Sequence, residues 1–123
     1  MTDFATSVDR LHNQVRHWEQ GRWWSRTSGA TATRGDLTFA LIQRLADLGA
    51  DAEQRPRRPV PREHDMVLPD QLRVLADDLL AAARSEPRRS EPALAEPALA
   101  EPALAEAILA EAAAAVDELR LAI

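Results

Sequence analysis

Between Phe4 and Trp18 the apolar residues Phe4, Val8, Leu11, Val15 and Trp18 recur at intervals of four and three. At about 100° per residue these positions fall on one side of a helix. Polar residues Asp9, Arg10, Asn13, Arg16 and Gln20 fill the other side, with Glu19 at the margin. The spacing predicts an amphipathic helix from residue 3 to about residue 20, with Asp3 as N-cap and Gly21 as the stop. Residues 25–35 lose the period and collect Ser, Thr and two glycines, a loop signature. A second stripe then runs through Leu37, Leu41, Leu45 and Leu48, widened by Phe39, Ala40 and Ile42. Asp36 is expected to cap this helix, which ends at Gly49 or continues to Gln54.

The period stops again where Pro56, Pro59, Pro61 and Pro69 follow one another. Each proline lacks a backbone donor and biases its predecessor toward extended geometry, so an extended connector is expected. Pro69 suits the first turn of a third helix, and Asp70 adds favourable charge beside it. That helix carries Leu68, Leu72, Leu75 and Leu79 on one stripe, with Val74 and Leu80 at its margins, and runs to about Arg84.

From Glu91 the unit Glu-Pro-Ala-Leu-Ala occurs three times in tandem, and a degraded form continues through Glu106 and Glu111. A five-residue repeat matches neither the helical nor the strand period, and its regular prolines interrupt helical bonding. Duplication of a short DNA segment explains it, with a semi-extended tether as the expected outcome. After Pro102 the prolines cease. Leu104, Ile108, Ala115, Leu119 and Ile123 then fit a stripe flanked by Leu109 and Val116, predicting a terminal helix from about residue 102 to 121. The expected fold is therefore all-α. A three-helix bundle over residues 1–84 is followed by a Pro-rich repeat linker over 85–101 and an Ala-rich amphipathic helix over 102–123. Whether that last helix packs on the bundle or reaches a partner is open at this level.

Composition refines this outline. Much of the 46% apolar fraction is Ala after residue 92, and the five aromatic residues all lie before residue 40. A well-packed core is thus expected near the start of the chain. The chain holds no Cys, which removes disulfides, thiolate nucleophiles and Cys-ligated metal. No run of apolar residues has the length of a signal peptide or a membrane span, so a cytoplasmic, soluble protein is expected. All fifteen basic residues other than His are Arg, as codon bias in a GC-rich genome would produce.

The run from Leu41-Ile-Gln-Arg-Leu-Ala-Asp-Leu through Arg55-Pro-Arg-Arg-Pro-Val-Pro-Arg to Leu68-Pro-Asp-Gln-Leu-Arg-Val-Leu resembles uncharacterised small helical proteins of GC-rich actinobacteria. The resemblance covers about a third of the chain. It implies a bacterial, cytoplasmic protein and carries over no activity and no functional residue.

Candidate chemistry is sparse. Trp18, Arg22, Trp23, Trp24 and Arg26 combine the residue types enriched at binding hot spots. Arg22, Trp23, Trp24 and Arg26 are accordingly candidate partner contacts, against the alternative that a Trp plugs the end of a small bundle. Adjacent helical residues point about 100° apart, so Trp23 and Trp24 do not both face inward. Arg57, Arg58 and Arg62, with Arg55, form a basic stretch suited to phosphates, an acidic protein surface or an aromatic groove that reads extended proline-rich segments, or serve as a stiff, solvated crossover.

His12 and His17 are five apart, off the helical metal spacing of about four. His64 lies between Glu63 and Asp65 with no third ligand indicated. Arg34-Gly35-Asp36 spells an adhesion tripeptide, yet Asp36 is better explained as a cap. No glycine-flanked nucleophile or phosphate loop is present, so neither catalysis nor a cofactor is expected. The leading expectation is a non-enzymatic protein–protein interaction protein, an adaptor, regulator or assembly factor, with self-association included among its partners. The alternative is a nucleic-acid-associated regulator acting through Arg55 to Arg62, which the net charge of −5 disfavours.

Overall fold

A computed structural model describes residues 3–27, 29–84 and 96–123, with side chains of the last segment described from residue 103. The elements in order are α1 (Phe4–Val15), α2 (Gln20–Trp24), α3 (Arg34–Ala52), a 3-10 turn (Asp65–Val67), α4 (Leu68–Arg84) and α5 (Glu96–Ala122). Among the described residues the only β pairing is an isolated bridge between Arg26 and Thr33. The all-α class follows, and α1, α3, α4 and α5 share one apolar core.

That core is the leucine pattern made physical. Phe4, Val8, Leu11 and Val15 from α1 meet Leu41, Ile42, Leu45 and Leu48 from α3 and Leu68, Leu72, Ala76 and Leu79 from α4. Burying each large aliphatic side chain is worth about 1.5–3 kcal/mol before chain entropy is subtracted. Val74 stays exposed on α4, and Ala40 stays exposed on α3 while Thr38 is buried beside the stripe.

Helix starts are chemically specified. The Asp3 carboxylate accepts from Thr6 N–H at 2.8 Å, the expected cap of α1. Asp36, expected as the cap of the second helix, instead stands three residues inside a cap made by Thr33. The Thr33 hydroxyl accepts from Asp36 N–H at 3.0 Å, while the Asp36 carboxylate accepts from Thr33 N–H at 3.1 Å. This reciprocal box satisfies two orphan donors where a lone Asp cap would satisfy one. At the far end of α3, Gln54 takes a left-handed φ of 59° and Arg55 N–H donates to Ala50 C=O. The helix therefore passes Gly49 and stops near the later of the two expected limits.

The first helix is shorter than its period implies. It ends at Val15, and Gly21, the expected stop, lies inside the separate helix α2. The physical reason lies in the tryptophans. Residues five apart on a continuous helix point about 140° away from each other. With the break, the Trp18 and Trp23 rings meet edge to face at 4.8 Å.

The terminal helix also departs from expectation. Helical backbone is already present from Glu96 rather than from near residue 102, so the part of the expected linker from 96 to 101 is helical; residues 85–95 lie outside the described residues. Pro102 stands inside this helical stretch at the loss of one backbone donor, while Ala and Glu favour helix at most other positions. The helix packs on α1, α3 and α4 through Ile108, Ala112, Ala113, Val116 and Leu119, with Leu104 left exposed. Fully buried Ala112 sits midway along this face, so a methyl group occupies that part of the seam.

Candidate partner-binding site

The aromatic–arginine cluster divides into a buried and an exposed half. Trp23 is completely buried against the shared core, and Trp18 is half-buried against the same cluster. The Arg22 guanidinium lies 4.9 Å from the Trp18 ring centroid, completing an Arg22–Trp18–Trp23 stack. Trp23 Nε1 has no hydrogen-bond partner among the described residues, so apolar contact and ring geometry hold this indole. Trp23 is therefore a core plug and is corrected as a direct partner contact: α2 turns its side chain inward. Trp24, one position on, is 64% exposed. The opposite orientations are the 100° step between consecutive helical residues.

Loop bonds fix the ground around Trp24. Ser25 Oγ donates to Arg22 C=O at 2.6 Å, and Arg26 Nε donates to Thr31 C=O at 2.8 Å. Arg34 reaches back over the same loop, with Nη1 donating to Ser25 Oγ at 2.7 Å and to Arg26 C=O at 3.0 Å, and Nε to Ile123 C=O at 3.4 Å. Arg34 and Asp36 are thus both engaged in folding, and Gly35 is buried between them, which removes the presentation an adhesion tripeptide needs.

The basic stretch is mostly paired with the protein's own acids. Arg57 donates to both Asp51 oxygens, at 3.1 and 2.7 Å, holding the Asp51 carboxyl below its ordinary range and raising Arg57 in turn. Arg55 pairs with Glu53. Arg62 bridges Asp36 at 3.3 Å and Asp65 at 3.1 Å, and its guanidinium lies 4.9 Å from the Phe39 ring centroid. Arg58 has no carboxylate partner among the described residues, while its carbonyl accepts from Gln43 Nε2 at 3.0 Å. Three of the four arginines are hence matched by carboxylates of the chain itself.

No group of three or more His, Asp or Glu side chains among the described residues is arranged to hold a metal. His64 Nδ1 accepts from Met66 N–H at 3.1 Å and starts the 3-10 turn. Among the described residues no helix is long and apolar enough to cross a membrane. One open cavity of about 530 Å³ lies between α3, the connector after it and α4, with Leu45, Gly49, Val60, Leu75 and Leu79 among its walls. Sequence reasoning missed this feature, because its lining mixes core residues with a proline connector that pattern alone assigns to solvent. Comparison with known protein families, curated proteins and solved structures finds no match.

Proposed function

We propose that the chain is a non-enzymatic interaction protein, an adaptor, regulator or assembly factor, whose partner contact centres on Trp24. The observation supporting this reading is the pair of neighbouring indoles: Trp23 anchors α2 in the core while Trp24 projects from it at 64% exposure. A rigidly mounted, exposed Trp loses little conformational entropy on contact and buries a large area, the profile of an interface hot spot. The arginines of the connector enter this reading as fold-stabilising groups, since most are matched by internal acids.

The test is tagged purification from the source cells with native chain and Trp24→Ala in parallel. The expected result is a specific co-purifying protein lost with Trp24→Ala but retained with Val74→Ala, another exposed apolar position. Equal recovery with all three chains would remove Trp24 from the contact. Salt-dependent binding of DNA or RNA by the native chain, weakened by Arg58→Ala, would instead favour a nucleic-acid role.

A further inference from the structure

The connector after α3 is seated on the bundle as a bound peptide would be. Gln43 Nε2 donates to Arg58 C=O at 3.0 Å, and Gln43 Oε1 accepts from Val60 N–H at 2.8 Å. One side-chain amide thereby pairs with a single edge of the extended backbone, the carbonyl of residue 58 and the N–H of residue 60. Gln71 Nε2 of α4 holds the carbonyl of the following residue, Pro61, at 3.2 Å. Val60 is the only partly buried residue from Glu53 to His64, and it packs against the core. On either side, Arg57 reaches Asp51 and Arg62 reaches Asp36 and Asp65.

The hold is shallow. One valine, three amide bonds, Arg62 over the Phe39 ring and ion pairs that are well exposed apart from the Asp65 carboxylate fasten the strap, and exposed pairs contribute little each. Segments with few buried contacts open locally without global unfolding. Beneath and beside the strap lies the 530 Å³ cavity with its Leu45, Leu75 and Leu79 walls.

We propose that this connector is a detachable strap whose seat on α3 and α4 docks an extended, proline-containing basic segment of a partner protein. The strap itself shows the chemistry that fits: prolines either side of a β-branched residue, arginines outside them, and an extended backbone presented to Gln43. Asp51, Asp36 and Asp65 supply the complementary charge. The proposal involves a surface separate from Trp24 and does not depend on it.

The probe is a fluorescent peptide of sequence Arg-Pro-Arg-Arg-Pro-Val-Pro-Arg, the strap's own residues 55–62, added to the full chain. Its binding is read by anisotropy. Loosening the internal strap with Arg57→Ala and Val60→Ser is expected to tighten peptide binding by at least about ten-fold, because the seat is then vacant more often. Adding Gln43→Ala or Asp51→Ala to the loosened chain is expected to reverse the gain, and Trp24→Ala to leave it unchanged. A scrambled peptide of equal charge binding as well, or no binding to a loosened chain of native helical content, would overturn the proposal.

Should the loosened chain fail to fold, hydrogen exchange on the native chain decides. The Val60 amide is expected to exchange by local opening, faster than Leu45 of α3, and faster still when peptide is added. Exchange of Val60 only through global unfolding would overturn the proposal equally.

Discussion

Gly35 and Asp65 occupy one another's space: a Cβ at position 35 would lie 3.0 Å from Asp65 Oδ1 and 3.2 Å from its Cγ. The missing side chain lets a carboxylate from the turn before α4 approach the first turn of α3, where the helix dipole favours negative charge. Asp65 is fixed there by Arg62 and by Gln20 of α2, whose Nε2 donates to it at 3.3 Å. One carboxylate thus ties α2, α3 and the connector together.

Gly35→Ala is therefore expected to destabilise the chain by about 1–3 kcal/mol despite the better helix propensity of Ala. Urea unfolding reads this as a lower midpoint at unchanged slope. Combining it with Asp65→Ala should give less than the sum of the two losses, since the second change removes the obstacle.

The two neighbouring tryptophans should separate cleanly in stability. Trp23→Ala is expected to cost about 3–5 kcal/mol, the range for emptying a large buried site. Trp24→Ala should stay within about 0.5 kcal/mol, as surface changes do. Thermal unfolding followed by circular dichroism checks both, and equal losses would contradict the orientation of α2.

Gln54 holds a left-handed backbone without being glycine, at φ 59°. Gln54→Gly is expected to raise stability by about 1 kcal/mol, because glycine adopts this conformation without the Cβ penalty. The measurement is a rise in the denaturation midpoint. A fall would mean that Gln54 makes side-chain contacts worth more than its backbone costs.

Burial and the nearby Arg73 and Arg16 lower the affinity of His12 for a proton below its ordinary value of 6.5, against opposing pulls from Asp70 and Asp9. The unfolded chain then takes up this proton first as pH falls. Stability from His12 is full above about 6.5, declines as pH drops below that value, and levels off below the lowered folded value. His12→Gln is expected to flatten this part of the pH profile of the melting temperature. An unchanged slope between neutral pH and about pH 5 would exclude the effect.

Much of the fold was legible because aliphatic periodicity and caps are local signals. The stripes of α1, α3 and α4 and the Asp3 cap needed no information from elsewhere in the chain. The break before α2 was not legible, since no proline or glycine lies between Val15 and Gln20; edge-to-face packing of Trp18 on Trp23 decides it through ring geometry that the apolar period does not encode. Ala112 illustrates a second blind spot. A methyl group carries little hydrophobic signal, yet it is completely buried where α5 meets the bundle. At the candidate site, the choice between Trp23 and Trp24 required the helix phase of α2, a short helix that the sequence pattern, stopping at Gly21, did not predict. The seat for the strap rests on Gln43 and Gln71, polar residues that appear in sequence as ordinary surface.

Among the described residues, the buried face of α5 starts at Ile108, beyond the last intact pentapeptide unit, which ends at Ala105. Replication slippage that gained or lost a whole unit would change the count of residues between Arg84 and Ile108 while leaving every described core neighbour the same. The tandem array is thus a place where copy number can drift between strains at little cost to the folded body, and length variants should melt together.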